Sequence, residues 1–166
     1  MATRKILIYG NQALRKKTKF IKAFDARLKK LVEEMFDTMY AANGIGLAGP
    51  QIGVLRKIFV IDTLEEGEKL ALANPKILWT SEEQVAMKEG CLSIPGLEGE
   101  VVRPEKIRLR AHDPFTGNEL EMDAEGLLAR VIQHENDHLN GVLFVDHLNA
   151  EQRRPMERKL QELAAA

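Results

Sequence analysis

One cysteine, Cys91, is present in 166 residues, so no disulfide can close within the chain. A chain of this length can bury roughly 70% of its unfolded surface and needs no covalent staple. A lone thiol fits a reducing compartment, or at least no reliance on oxidation. Aromatic residues are scarce, with 1 Trp, 2 Tyr and 6 Phe, which argues against a stacking platform for single-stranded nucleic acid. Neither sign of charge is in excess: 24 Lys+Arg face 25 Asp+Glu, for a formal net charge of -1. That balance offers no basic field for DNA and no polybasic patch for an anionic membrane. No stretch approaches the ~20 apolar residues that a membrane-spanning helix needs. The N-terminal apolar run, Ile6 to Tyr9, is shorter than the roughly 7–15 residues of a signal-peptide core. These absences predict one domain over residues 1–166, resident in the cytoplasm, with neither DNA nor membrane as partner.

What is present is a mixed pattern. Leu28, Leu31, Val32, Met35, Phe36 and Met39 recur at helical spacing, which predicts an amphipathic helix over 25–42 with Asp25 as N-cap and Asn43-Gly44 as its stop. The segment Gly44 to Gly53 is too rich in glycine and proline for the interior of a regular element. Strand patterns follow at Lys57–Asp62, Leu70–Leu78, Val101–Arg110 and Glu119–Met122, separated by turn formers. Residues 124–140 predict a second helix stopped by Gly141, and Asn149 can cap a third that runs to about Leu163. Strands and helices do not alternate regularly. The fold class expected is therefore α+β, with antiparallel sheets around a central helix and a C-terminal helix.

That central helix carries the sharpest motif, His134-Glu135-Asn136-Asp137-His138. On a helix, positions 134 and 138 share one face, so two imidazoles can grip one cation while Glu135 reaches a bound water. A catalytic site of this kind needs a third protein ligand and an open position. The extended zinc-protease pattern would put a histidine at position 144, which is Phe144. His147 lies too far along. Glu157 is at a usable distance but sits among Arg153, Arg154, Arg158 and Lys159, where a solvated ion pair is the simpler role. Cys91 is the remaining candidate. A lone cysteine is most often a small buried apolar residue, yet Glu89-Gly90-Cys91-Leu92-Ser93 reads as a turn-rich loop, not a core strand.

Three separated blocks together resemble the peptide deformylase family: Gly44 to Gln51, Glu89 to Ser93, and Gln133 to Gly141. The resemblance runs from about Ile6 to the last helix. It implies removal of the formyl group from N-formylmethionine at the start of newly made proteins. It implies Cys91, His134 and His138 as ligands of one divalent metal ion per chain, Fe²⁺ in the cell, with Zn²⁺, Ni²⁺ or Co²⁺ also accepted. Glu135 becomes the general base, and Gln51 with the backbone N–H of Leu92 the oxyanion donors. Glycine-lined backbone at Gly44, Gly46 and Gly90 would pair with a peptide substrate as an added strand. Ile45, Met87, Leu127 and Val131, with Arg130 beside them, would receive the methionine side chain. A Glu89–Arg103 ion pair is expected to order the Cys91 loop, since Glu89 buried alone would be costly. Departures from the family pattern are Gly49 in place of alanine, Asn11 to Arg15 without an Asp-Pro, and Lys19-Phe20 without a Lys-Pro. Each reads as loosened backbone that leaves the chemical site intact.

Two other readings compete. One is a small zinc endopeptidase that uses His134, His138 and Glu157. The other is a ribosome-associated binding module whose metal is only structural, although such a site needs neither Glu135 nor Gln51. Partners under the main reading are N-formylmethionyl peptides and nascent chains. A ribosome contact through the last helix stays open, but Glu151, Glu157 and Glu162 among its basic residues favour a solvated face.

Overall fold

The computed structural model describes residues 2–166. Helix α1 (Ala26–Ala41) starts where the Asp25 side chain accepts the Leu28 amide at 3.0 Å. It buries Leu28, Leu31, Val32, Met35 and Met39. It ends as Asn43 turns left-handed (φ 58) and the Gly44 amide returns to the Met39 carbonyl at 2.9 Å.

Seven strands follow: β1 (Gly46–Ala48), β2 (Ile58–Asp62), β3 (Lys69–Thr80), β4 (Gln84–Cys91), β5 (Ile94–Pro104), β6 (Lys106–His112) and β7 (Glu119–Glu125). Five of them form an antiparallel sheet in the order β1-β2-β3-β6-β7, and β4-β5 form a separate hairpin. Helix α2 (Gly126–His138) carries the His-Glu-x-x-His motif near its C-terminal end. The five-stranded sheet is covered on both faces. Ile58, Val60 and Ala73 pack with α1, while Phe59, Ile61, Leu72, Ile107 and Leu109 pack with Ala129 and Ile132 of α2. That is why β2 reads as an unbroken apolar run instead of an alternation. A third cluster joins Ile94 and Val101 of the hairpin to Phe144, Val145 and Leu160 of the C-terminal segment.

Several boundaries differ from the pattern read in the sequence. The segment Val101–Arg110, expected as one strand, is two strands in different sheets, broken at Pro104-Glu105. Proline has no N–H to continue a ladder, and the Glu105 amide bonds to Glu83 instead, at 3.0 Å. The loop expected around Cys91 is largely strand: β4 runs to Cys91, and only Leu92-Ser93 turn. Its inward positions include Glu89, so no apolar alternation announces it. The Gly44–Gly53 segment, expected to be irregular throughout, holds β1 and one 3₁₀ turn, Gly49–Ile52. Residues 124 and 125 belong to β7, not to α2. The last helix is interrupted: α3 (Ala150–Arg153) and α4 (Glu157–Ala165) flank a 3₁₀ turn at Arg154–Met156. Pro155 there has no N–H to give the Glu151 carbonyl.

The expected loosening also needs revision. Gly49 is tightly enclosed, since a Cβ there would lie 2.6 Å from the Val54 carbonyl and 3.1 Å from that of Arg56. Asn11 caps its own 3₁₀ turn by accepting the Ala13 amide at 3.0 Å.

Candidate metal centre and active site

The two histidines of α2 lie one turn apart, with ring centroids separated by 5.1 Å. The hairpin delivers the third group. A register shift between Gly90 and Cys91 interrupts the β4-β5 ladder at this point. Cys91 Sγ then stands 3.4 Å from His138 Nε2. One donor atom from each of Cys91, His134 and His138 lies within 4.8 Å of the others, a spacing that fits a single cation among them. Among the described residues no other such group occurs. Glu157 is not part of it. It is exposed on α4 and pairs with Arg153 at 3.6 Å. Phe144 stacks beside His134, with centroids 6.3 Å apart.

The surroundings prepare His134 to bind through Nε2. Its Nδ1 lies 2.8 Å from Glu89 Oε1. An ionised carboxylate there accepts Nδ1–H and leaves the Nε2 lone pair for a cation. Burial would raise the Glu89 carboxyl, but hydrogen bonds from His134 and Arg103 outweigh it and hold the group well below the usual carboxylate range. Arg103 donates to both Glu89 oxygens, at 2.6 and 3.0 Å. The expected Glu89–Arg103 ion pair is thus present, and it belongs to a longer chain. Arg103 also donates to Asp137 at 2.8 Å, and His147 Nε2 lies 2.8 Å from the same Asp137 oxygen. Arg130 donates to Glu89 at 2.7 Å. Asp137, His147 and the Arg130 bond are additions that the sequence reading lacks. Arg130 precedes His134 by one helical turn, a spacing that could have flagged it.

Burial would lower His134, yet its hydrogen bonds with Cys91 and Glu89 hold it well above the ordinary histidine value. Burial, and then the charge on His134, push His138 well below it. Without a cation, the thiol and the carboxylate thus favour a proton on His134, which metal binding at Nε2 would displace. Glu135 is buried, and burial raises its carboxyl to about 7 against the pull of His134. Its Oε1 has no hydrogen-bond partner among the described residues. A carboxyl titrating near neutrality with a free lone pair is suited to proton transfer.

Gln51 arrives from the 3₁₀ turn. Its Oε1 accepts the Ala48 amide at 2.9 Å, which fixes the side chain. Its Nε2 donates to Ser93 Oγ at 3.1 Å and lies 3.5 Å from Cys91 Sγ. Gly46 borders Glu135 so closely that a Cβ would fall 2.5 Å from Oε2. A cleft of about 740 Å³ opens over these groups. Of the residues named from the sequence, Gly44, Ile45, Gly46, Gly90, Leu92, Leu127, Arg130 and Val131 line it, whereas Met87 does not. Leu97 and Pro95 of β5 line it as well and were not anticipated. Among the described residues the outer edge of β1 carries no strand partner.

Cys91 and His134 line the open cleft with His138 buried behind them, and a three-donor set that faces a cleft suits hydrolysis better than a purely structural metal. The chain is thereby placed in the class of metal-dependent hydrolases. The family model for polypeptide deformylase matches residues 3–154. A peptide deformylase of Caldicellulosiruptor bescii is 53% identical over 88% of this chain and 86% of its own length. Peptide deformylase 1 of Clostridium perfringens is 49% identical over 89% of this chain and 99% of its own. A crystal structure of a Legionella pneumophila peptide deformylase superposes with a TM-score of 0.90 at 46% identity, covering 97% of this chain and 95% of that one. This chain belongs to the polypeptide deformylase family.

Proposed function

We propose that the chain, as one catalytic domain over residues 1–166, hydrolyses the formyl amide of N-terminal N-formylmethionine on nascent proteins and peptides, releasing formate. The observation that carries this reading is Cys91 Sγ beside His138 Nε2, 3.4 Å away. That contact supplies the third donor which the histidine pair lacks, where a protease would need a different one.

A divalent cation held by Cys91, His134 and His138 supplies Lewis acidity that makes hydroxide available near neutral pH. Glu135 takes the water proton and returns it to the departing amine. Attack on the formyl carbon builds a tetrahedral oxyanion. Gln51 Nε2 and the backbone N–H of Leu92 are its donors, and loss of one such donor typically lowers the rate about 10²–10³-fold. The peptide lies along the open edge of β1 at Gly44 to Gly46 and against Gly90, as an added strand. Ile45, Leu127 and Val131 receive the methionine side chain, without Met87. A His₂Cys set accepts several first-row metals. Fe²⁺ is the ion proposed in the cell, and Zn²⁺, Ni²⁺ and Co²⁺ are substitutes. The cytoplasm is the proposed compartment, because a thiol beside a redox-active ion is an oxidation hazard.

For the C-terminal helix, ion pairs of Arg153 with Glu157 and Arg158 with Glu162, each at 3.6 Å, support a solvated face over a ribosome contact. Reversing Arg154 and Arg158 to Glu should leave ribosome cosedimentation unchanged, and its loss would establish docking.

The function is tested with Cys91→Ala. Bound metal and formate release should be lost together. A Cys91→Ala protein that keeps one metal ion and cleaves internal peptide bonds would establish the endopeptidase reading instead.

A further inference from the structure

Arg130 is buried, with 5% of its surface exposed. Its Nη1 donates to Glu89 Oε2 and to the Val101 carbonyl, each at 2.7 Å. Its Nη2 donates to the Val85 carbonyl at 2.6 Å. One guanidinium therefore ties helix α2 to both strands of the hairpin and to the carboxylate that holds His134. All three acceptors belong to the hairpin that delivers Cys91. Arginine suits this place because its planar fork offers several donors in fixed directions and stays charged when buried. The charges also close locally, since Arg103 and Arg130 face Glu89 and Asp137.

We infer that Arg130 is a positioning residue. It holds Cys91 and His134 in register with His138 by clamping the hairpin and Glu89 to α2, and it touches neither the metal nor the reacting atoms. The inference rests on the reading of Cys91, His134 and His138 as the metal ligands. Without the guanidinium, the Val101 carbonyl and the part-buried Val85 carbonyl lose this donor, and Glu89 is left with Arg103 and the His134 ring. Between α2 and the hairpin beside the site there then remain the Arg103–Asp137 pair, the His134–Glu89 hydrogen bond and the Gln133–Pro104 hydrogen bond. Partners of this outer kind typically change metal affinity or activity about 10–100-fold.

Two variants test it. Arg130→Met keeps the apolar stem and removes the guanidinium, and Arg130→Lys keeps a cation that can serve fewer of the three acceptors. Each is loaded with Co²⁺. The visible spectrum reports the ligand geometry, the release of Co²⁺ to a chelator is timed, and kcat and KM on a formyl-Met peptide are measured separately. Arg130→Met should release Co²⁺ about 10–100 times faster, with altered Co²⁺ bands and a fall in kcat of similar size. KM should move little, and Arg130→Lys should fall between Met and wild type. Wild-type release and spectrum in folded Arg130→Met would overturn the inference. So would a raised KM with unchanged kcat and spectrum, which would make Arg130 only a wall of the cleft. If Arg130→Met does not fold, Arg130→Lys decides: intermediate release supports the clamp and wild-type release overturns it. A wild-type Co²⁺ spectrum without thiolate charge transfer would refute the ligand assignment, and with it the role of Arg130.

Discussion

His134 Nδ1 and Glu89 Oε1 are 2.8 Å apart, and Arg103 grips the same carboxylate through two hydrogen bonds of 2.6 and 3.0 Å. A residue of strand β4 thus sets the orientation of the proposed ligand His134 on helix α2. Removing one partner of a buried pair costs about 3–5 kcal/mol when the other charge is left unpaired, but Glu89 keeps Arg130 and His134. Arg103→Ala should therefore destabilise the protein by less than that, measured by denaturant unfolding, and its purified metal content should fall. Unchanged stability and metal content would remove Arg103 from the account.

Glu135 gives a pH signature. Its folded carboxyl titrates near 7, against 4.5 for the unfolded chain. A group that binds its proton more tightly when folded makes stability fall as pH rises through that window. In metal-stripped protein, Glu135→Gln lacks this loss. It should gain on wild type between pH 4 and pH 8 by on the order of 3 kcal/mol. The check is a pair of unfolding curves at the two pH values, and a constant difference between them would contradict the buried carboxyl.

Two glycines of the same loop should respond differently to alanine. At Gly46 the new Cβ meets Glu135 Oε2 at 2.5 Å and Val131 Cγ1 at 3.0 Å, so a side chain must yield. Gly46→Ala should displace the base and lower kcat more than stability. At Gly49 the Cβ meets the Val54 carbonyl at 2.6 Å, and backbone must yield. Gly49→Ala should cost about 1–3 kcal/mol as overpacking, although alanine is the family's usual residue there. Thermal melts and initial rates separate the two. A stabilised Gly49→Ala would show that the loop is as loose as its composition suggests.

Much of this was legible in the sequence because the signals are local. The Asp25 cap, the stripe Leu28 to Met39 and the spacing of His134 and His138 each lie within a few turns of one helix. The hairpin was not, because its inward residues include Glu89 and Arg103, and their partners stand 14 to 45 positions away. Charged residues that pair across a fold carry no apolar periodicity. Met87 shows the converse: it matches the family pattern, yet the cleft is lined by its neighbour Lys88.

Leu160 of α4 is 2% exposed and packs in the cluster with Ile94 and Phe144. Leu160→Ala should cost about 2–5 kcal/mol, read from the unfolding midpoint. Truncation at Asn149 removes the same contact. Loss of ribosome binding by a truncated chain would therefore report stability as much as docking, which is why charge reversal is the cleaner probe. A midpoint unchanged by Leu160→Ala would show that the helix is not part of the core.

The central claim is tested most directly by formate release from a formyl-Met peptide, using anaerobically Fe²⁺-loaded protein beside Glu135→Ala loaded in the same way. Wild type should give rapid, stoichiometric formate. The variant should lose several orders of magnitude in rate, with one metal ion still bound. Formate release by metal-loaded Glu135→Ala at the wild-type rate, or none by the loaded wild type, would contradict the claim.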